Sequence, residues 1–325
     1  MDTIDPGESS DPQWISPSAI FGTMGEELPV TGKVYEAQDP QNKEQWGGQG
    51  TRGRIRQVLL REHVVPSDPR SNEPETAGPF TPYAMKQYRT VDEEGTVVNT
   101  DKHDKPALNG YRAIASSIQR EARERQEAGL PPARSHLIEN IIFDEENHRI
   151  YTPLLSHDGT HVVSVGRNQS HGRNALFNDQ IRTIPNFSEF LKEFIHDILE
   201  RSKDRIAVDG DVYFFLVNPE THVIDYVHAD FERVGFIDRK GVKGNNLAQA
   251  ASAIRHFLLE CCKNPERYLR EVREYIQKEF DRDASSESQY SREIFAEIMD
   301  QLDQDTESYW QSVVRFAKQL MGRNP

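Results

Sequence analysis

The hydrophobic periodicity changes between the two halves of this 325-residue chain, and that change constrains the fold more than any other feature. Between residues 34 and 155, short β-rich runs surround one segment of helical period, in the order β-β-β-α-β-β. From residue 187 onward, helical period dominates and is interrupted by one predicted hairpin. We therefore predict an α+β fold in two parts, with an antiparallel sheet and one helix in the first part and mainly helices in the second.

Composition predicts three segments along the chain. Residues 1–33 are predicted to be an N-terminal extension, partly disordered, because its first 18 residues are rich in Asp, Pro, Ser and Gly. Residues 34–155 form the first part, and the proline-rich stretch 66–82 is predicted to be a loop inserted in it. Residues 156–325 form the helical second part, with a hairpin region at 209–232.

Periodicity and turn signals predict the individual elements. The first part should contain a strand at 83–88, a helix at 108–128 that ends before a Gly-Leu-Pro-Pro stop, and a hairpin of strands 137–143 and 148–155. The second part should contain a hairpin of strands 212–217 and 223–227, whose connection is rich in turn residues. Its helices are predicted at 187–199, 247–262, 268–280, 291–302 and 309–321.

The chain is acidic, with 39 Lys and Arg against 53 Asp and Glu, a net charge of −14 and an isoelectric point near 5.3. Such a surface repels phosphate backbones, so we expect no nucleic acid partner. The apolar runs are far shorter than the roughly 18–20 residues of a membrane-spanning helix, so we expect no membrane partner. The acidic N-terminus lacks a secretory signal pattern, which predicts a cytoplasmic protein. The two cysteines, Cys261 and Cys262, are adjacent and predict neither a disulfide framework nor a structural metal site.

The glycines Gly48, Gly50 and Gly53 have the spacing of a phosphate-binding loop. Glycine lets backbone N–H groups approach a phosphate without obstruction by a Cβ atom. Such a loop either follows a buried strand and opens a helix, as in dinucleotide-binding folds, or joins two antiparallel strands. The segment after the glycines, 55–65, fits either a helix or a strand, but the polar residues 42–45 before them favour the hairpin.

A second glycine-containing segment competes for the same role. It has Gly22 and Gly25 upstream of a Gly-Lys-Val-Tyr-Glu-Ala run at 32–37. We favour 48–53, because it has the complete triple-glycine spacing and is closer in sequence to Lys86.

Lys86 lies on the predicted strand at 83–88 and can place its ammonium group on nucleotide phosphates if a helix carboxylate holds it. Glu121 is the candidate carboxylate, since it lies beside the apolar stripe of the helix at 108–128, and Glu124 is the alternative. Arg52 and Arg54 beside the glycines would add positive charge.

Two acidic segments flank the predicted second hairpin. Asp209 and Asp211 precede it, and Asp230 follows it within an Ala-Asp-Phe-Glu run. Because the ends of a hairpin meet, these carboxylates are predicted to lie close together. A base for a hydroxyl nucleophile and a Mg²⁺-binding carboxylate can be brought together in this way.

The order of these motifs resembles the protein kinase-like superfamily over roughly residues 34–260. The Asp-Phe-Glu form, and the Asn246-Leu247-Ala248 run after it, look closest to the aminoglycoside and choline phosphotransferase branch. The resemblance rests on Gly48, Gly50, Gly53, Ala84-x-Lys86, Glu121, Asp209 or Asp211, and Asp230-Phe231-Glu232.

The resemblance implies a bilobal ATP- and Mg²⁺-dependent phosphotransferase that acts on a hydroxyl group of an unknown small-molecule or protein acceptor. The glycines would cover the nucleotide phosphates, Lys86 paired with Glu121 would hold them, Asp230 would bind Mg²⁺, and Asp209 or Asp211 would accept the substrate proton. The metal-binding Asn of the family, five residues after the catalytic Asp, is replaced here by Phe214 or Leu216, while Asn218 lies in the predicted turn. Two alternatives therefore stay open: a pseudokinase that serves as an interaction or regulatory module, and a kinase-fold enzyme that transfers another group, as in adenylylation.

Overall fold

The computed structural model has a mixed α+β architecture, as predicted. Contacts along the chain divide it into two units, Met1–Asn109 with Ile138–His157, and Gly110–Leu137 with Asp158–Pro325. The structure describes residues 13–38, 48–50, 53–64, 75–76, 78–91, 97–99, 104–156, 159–164, 181–236, 242–283, 292–293, 295–296, 298–300 and 302–303.

The first unit is built on an antiparallel sheet. Its central order is β1-β4-β6-β8-β11-β10-β2-β3, and β5 and β7 pair with β6 while β9 pairs with β8. The strands are β1 (Gln13–Ile15), β2 (Ala19–Phe21), β3 (Glu27–Leu28), β4 (Lys33–Gln38), β5 (Gly48–Gly50), β6 (Gly53–Val64), β7 (Glu75–Thr76), β8 (Thr81–Val91), β9 (Val97–Asn99), β10 (Ile141–Asp144) and β11 (Arg149–Pro153). The predicted strand at 83–88 and the predicted hairpin over 137–155 are confirmed as β8 and as the β10–β11 pair.

One face of this sheet forms an apolar core. Residues directly opposite each other on neighbouring strands point to the same face, so Val58 on β6, Tyr83 and Met85 on β8 and Tyr151 on β11 share one side. Ile15 on β1 and Ile20 on β2 belong to the same buried cluster although their strands lie towards opposite ends of the order. The sheet is therefore curled around this core.

The segment assigned to an N-terminal extension differs from its prediction. Residues 13–33 contribute β1, β2 and β3, and Ile15, Ala19, Ile20 and Phe21 are almost fully buried. The composition of residues 1–18 suggested a tail, but β1 pairs with β4, and β2 pairs with the distant strand β10, where Ala19 lies opposite Phe143. Residues 1–12 lie outside the described residues.

Two further boundaries of the predicted segments differ. The helix predicted at 108–128 was assigned to the first part, but from Gly110 onward it belongs to the second unit. Within the predicted loop 66–82, residues 75–76 form β7 and β8 begins at Thr81, while 66–74 and 77 lie outside the described residues.

The second unit combines helices with short strands. The predicted helices at 187–199, 247–262 and 268–280 and the predicted hairpin are confirmed, the hairpin as the antiparallel pair β14–β15. Described residues between 292 and 303 are helical, and the prediction at 309–321 lies outside the described residues. The elements are α1 (Asp104–Glu127), of which the second unit holds the part from Gly110, α2 (Phe187–Lys203), α3 (Val242–Cys261), α4 (Pro265–Asp283), β12 (His161–Ser164), β13 (Ile206–Ala207), β14 (Tyr213–Val217), β15 (Ile224–His228) and β16 (Gly235–Phe236).

An aromatic cluster holds α2 against the β14–β15 hairpin. Phe194 on α2 makes edge contacts with Tyr213, Phe215 and Tyr226, with ring centroids 4.8, 5.4 and 4.9 Å away. Such pairs stabilise a core beyond the area that they bury. The cluster therefore gives the hairpin a rigid base on the helix.

Candidate functional site

The glycine motif forms the end of a β-hairpin in the first unit. Gly50 pairs with Gly53 and Gly48 pairs with Ile55 in the antiparallel β5–β6 ladder. The predicted hairpin is confirmed, and the ambiguous segment after the glycines is a strand. This arrangement is not the strand, loop and helix of a dinucleotide-binding motif. Thr51 and Arg52 lie outside the described residues.

Lys86 lies on β8, directly beside the strand that leaves the glycines. Its cross-strand neighbours are Ile55 on β6 and Ile150 on β11, so its side chain points away from the apolar core. The ammonium nitrogen lies 5.1 Å from the centroid of the Tyr88 ring. Lys86 therefore lies on the strand that pairs directly with β6, one of the two strands of the glycine hairpin.

The competing glycine segment lies elsewhere in the same sheet. Gly22 and Gly25 belong to the connection between β2 and β3, and Gly32 adopts a φ of +77° just before β4. In the strand order, β10 and β11 separate β2 from β8. The 48–53 segment is therefore nearer to Lys86 in the sheet as well as in the sequence.

In the second unit, the two acidic segments meet as predicted. The amides of Ala229 and Asp230 both donate to the carbonyl oxygen of Val212, over 2.9 and 3.4 Å. The Val212 amide in turn donates to the carbonyl oxygen of Asp209 over 3.0 Å. Asp209, the 3₁₀ turn Gly210–Val212 that contains Asp211, and Asp230 are therefore held at adjacent backbone positions.

The carboxylates of these segments have different surroundings. Asp209 is partly exposed and forms an ion pair with Arg233, whose Nη1 is 3.1 Å from Oδ2. Asp230 is also partly exposed. The side chain of Asp211 lies outside what the structure describes. Within the described residues, no group of three or more His, Cys, Asp or Glu side chains has the arrangement of a metal site.

Asn246 fixes the segment that leads into Asp209. Its buried side-chain amide accepts from the Val208 amide over 3.0 Å and donates to the Ile206 carbonyl over 2.8 Å and to Ser202 over 2.9 Å. In addition, β13 pairs with β16 across the two sides of the hairpin. The start and the end of the acidic region are thus tied together at a second point.

Phe231, next to Asp230, is fixed by α1. It is 2% exposed, and its ring contacts that of Tyr111 edge-on at 4.9 Å. The backbone passes so close that a Cβ atom on Gly110 would lie 2.3 Å from the Phe231 carbonyl oxygen. Only glycine fits at position 110 without a shift, so α1 sets the position of the segment beside Asp230.

Glu121 lies in a buried ion-pair network of the second unit. Its Oε2 is 2.6 Å from Nη2 of Arg201, and its Oε1 accepts from Nε2 of His196 over 3.0 Å. Burial raises the pKa of Glu121, but the bond to His196 and the charge of Arg201 outweigh burial, and the pKa is lowered overall. Both carboxylate oxygens are thus engaged within this unit. The pairing of Glu121 with Lys86 stays a prediction. The alternative, Glu124, is exposed and pairs with Arg120.

The network continues from α2 to the hairpin through Asp197. This carboxylate lies 3.4 Å from Nε of Arg201 and accepts from Nε2 of the fully buried His228 over 2.7 Å. Burial raises the pKa of Asp197, but the charges of His228 and Arg201 lower it far more. His228 is two residues before Asp230, so the network supports the strand that carries the acidic segment.

Sequence reasoning missed Asp197, Arg201 and His228. The position of two of them in the sequence could have indicated burial. Asp197 and Arg201 are four residues apart and lie beside the apolar stripe of α2, where a solvated charge is not expected. His228 ends an otherwise apolar strand. These residues are buried and ion-paired, so they support the site and do not line it.

Phe214 and Leu216, the two positions at which the resemblance would place a metal-binding Asn, have no side-chain ligand for a cation. Phe214 and Leu216 both lie within β14 and carry apolar side chains. Asn218 has a different role, because its Oδ1 accepts from the amides of Glu220 and Thr221 and closes the hairpin turn.

Comparisons with known proteins and a search for a membrane segment both give negative results. The chain matches no model of a known protein family and no curated protein. In the parts of the chain that the structure describes, each helix is too short or too polar to cross a bilayer.

Proposed function

We propose that the protein is an ATP- and Mg²⁺-dependent phosphotransferase of bilobal kinase-like fold that acts on a hydroxyl acceptor. The observation that carries the proposal is the convergence of the acidic segments on the Val212 carbonyl oxygen, which holds Asp209, Asp211 and Asp230 at neighbouring backbone positions. Phosphoryl transfer requires positioning and charge stabilisation above all, and carboxylate oxygens are the ligands that Mg²⁺ prefers.

The first unit supplies the groups that would bind the nucleotide phosphates. The β5–β6 hairpin places three glycines at one end of the sheet, where backbone N–H groups can approach phosphate oxygens. Lys86, on the strand next to β6, supplies a positive charge. The acidic chain thus has its phosphate-binding groups on one hairpin and the neighbouring strand.

The second unit supplies the acidic groups. Asp230 would hold Mg²⁺, which supplies charge neutralisation for the phosphates when bound. Asp209 or Asp211 would accept the proton of the attacking hydroxyl. The proposed pairing of Glu121 with Lys86 stays a prediction, since Glu121 also pairs with Arg201 inside the second unit.

Calorimetric titration with ATP, with and without Mg²⁺, tests the proposal. The wild-type protein should bind ATP in the presence of Mg²⁺, and Lys86→Ala and Asp230→Asn should each weaken binding at least tenfold, about 1.4 kcal/mol. The matched controls are Lys33→Ala, which removes another strand lysine of the first unit, and Glu220→Gln in the exposed hairpin turn. Binding that is absent in the wild type, or equal in Lys86→Ala and Lys33→Ala, would contradict the proposal.

A second candidate is an interaction module that retains the fold without phosphoryl transfer. The observations that favour it are the apolar Phe214 and Leu216 at the expected metal-ligand positions and the ion pair between Asp209 and Arg233. ATP consumption that disappears in Asp230→Asn but persists in Glu220→Gln would exclude this candidate. Mass spectrometry of the product separates an added phosphate from an added nucleotide, which adenylylation would leave. Under the proposed function, the partners are a nucleotide and either a small-molecule or a protein acceptor, and we propose that the protein is cytoplasmic.

A further inference from the structure

The end of α1 leads into an exposed segment that contains two prolines. The helix ends at Glu127, and residues 126–132 are all exposed. We call Leu130, Pro131 and Pro132 the proline segment. Leu130 is 54% exposed, more than any other large hydrophobic residue among those that the structure describes. The proline segment thus places an apolar side chain and two proline rings next to one another at the surface.

Hydrogen bonds hold the proline segment on the end of the helix. Gly129 has a φ of +65°, and the amide of Leu130 donates to the carbonyl oxygen of Arg125 over 2.8 Å. The amide of Gly129 donates to the carbonyl oxygen of Gln126 over 3.1 Å, which completes a Schellman motif. In addition, Nε of Arg125 donates to the carbonyl oxygen of Pro131 over 2.8 Å. The start of the proline segment is therefore fixed to α1.

The end of the helix does not require the exposure of Leu130. Gly129 and a proline after it suffice to end α1. In a Schellman motif, an apolar residue at the position of Leu130 frequently packs back on the last turn of the helix. Leu130 instead remains more than half exposed. Its side chain is therefore accessible to a partner.

The two prolines fix the conformation of this segment. The pyrrolidine ring sets φ to about −65° at Pro131 and Pro132. The residue before each proline, Leu130 and Pro131, is held in the extended region of the backbone. Residues 130–136 accordingly form no helix and no turn. The proline segment therefore forms about one turn of a polyproline II helix, which has about three residues per turn.

The apolar surface of the proline segment is small. Exposed polar residues, Glu124, Gln126 and Glu127, precede it on α1, and the exposed Arg134, which pairs with Asp225, follows it. A stable dimer buries about 800 Å² on each partner, far more than three residues expose. The size of the segment instead suits a groove that accepts a few residues.

We propose that the proline segment is a docking site for a protein domain whose aromatic-lined groove recognises the polyproline II conformation. Such grooves bind short segments of this kind through contacts with proline rings and adjacent apolar side chains. A segment that is already extended loses little conformational entropy on binding, so a few contacts suffice. This surface uses neither the glycine hairpin nor the acidic segments, so the proposal goes beyond phosphoryl transfer.

Calorimetric titration of the full chain with purified SH3, WW and EVH1 domains tests the proposal, because these domain classes have such grooves. At least one class should bind the wild-type chain. Leu130→Ala should weaken that binding by at least about tenfold, because it removes the apolar side chain that the groove would bury. Pro131→Ala should weaken it by at least about fivefold, because it removes a ring and frees the backbone.

Two control variants match these changes elsewhere in the second unit. Val223→Ala truncates an apolar side chain that is 40% exposed, and Pro219→Ala removes an exposed proline; both residues lie between β14 and β15. Each control should bind the domain within about twofold of wild type. All four variants should melt near the wild-type temperature, because the substituted side chains are exposed.

The proposal is overturned if none of the three domain classes binds wild type. It is also overturned if Leu130→Ala and Pro131→Ala bind as wild type does, or if the two controls weaken binding equally. Analytical ultracentrifugation tests a second copy as the occupant, and a dimer that dissociates in Leu130→Ala would overturn the proposal as well. ATP binding should be the same in Leu130→Ala and wild type, so docking and the proposed function can fail separately.

Discussion

Glu121 and Glu124 lie three residues apart on α1, and their replacement by Gln should have very different effects. The side chain of Glu121 is 9% exposed and faces the fully buried Arg201, whereas that of Glu124 is 55% exposed and pairs with Arg120 four residues earlier. The two variants remove the same charge from the same helix. They therefore separate the effect of burial from that of charge alone.

The magnitude for Glu121→Gln follows from the groups left behind. The amide can accept one hydrogen bond, but its NH₂ group then faces a second donor, because Arg201 and His196 both donate to the carboxylate. Removing one partner of a buried ion pair costs about 3–5 kcal/mol. Asp197 remains 3.4 Å from Arg201 and retains part of the compensation, so we expect a loss at the lower end, about 3 kcal/mol.

Glu124→Gln removes an exposed pair four residues apart on a helix, which is worth about 0.3–0.5 kcal/mol. We therefore expect a difference of more than 2 kcal/mol between the variants, about thirtyfold in the ratio of folded to unfolded protein. Urea unfolding followed by circular dichroism at 222 nm measures it, because α2, α3 and α4 of the second unit dominate that signal.

Equal losses below about 1 kcal/mol in both variants would refute the buried network. A second combination of results would support the pairing of Glu121 with Lys86. In that case Glu121→Gln and Glu124→Gln would unfold at the same urea concentration, but Glu121→Gln would bind ATP more weakly than Glu124→Gln. The two measurements together assign Glu121 to one role.

Two further predictions concern the same unit. The pKa of Asp197 is lowered in the folded state, so its contribution is present above the unfolded pKa of about 3.9 and is lost as the pH falls below it. At pH 7, the melting temperature of Asp197→Asn should therefore be well below that of wild type. The difference in melting temperature between the two proteins should narrow towards pH 3. A difference that is constant with pH would contradict the prediction. Gly110→Ala should destabilise the unit by about 1–3 kcal/mol, because its Cβ would overlap the Phe231 carbonyl, whereas Gly235→Ala, with open space around it, should change the melting temperature little. Similar melting temperatures for the two glycine variants would show that α1 and the Phe231 segment can move apart freely.

Local patterns predicted the elements that local physics controls. The β14–β15 hairpin was predictable because Asn218 closes its turn through its own neighbours, and α2 was predictable because its apolar residues recur with helical period. The meeting of Asp209 and Asp230 followed from the same hairpin, since the ends of an antiparallel pair must be close. These predictions needed only contacts between residues that are at most about 25 positions apart in the sequence.

Predictions that depended on distant partners were the ones that differed. Residues 1–18 are rich in Asp, Pro, Ser and Gly and suggested a tail, yet Ile15 packs in the core of the curled sheet and Ile20, just after this stretch, pairs with Ile142. The position of Glu121 beside an apolar stripe indicated a buried carboxylate, which is confirmed, while its pairing with Lys86 stays a prediction. Its partner Arg201 lies 80 residues away, and no local pattern identifies it.

The sequence by itself determined the α+β class, the hairpin at the glycines and the hairpin between the acidic segments, because periodicity and turn chemistry act over a few residues. The tertiary structure alone decided which charges neutralise one another and which strands close the sheet. A buried charge takes whichever partner the packing brings within about 3 Å. That choice is made by the whole fold, and it placed Glu121 with Arg201.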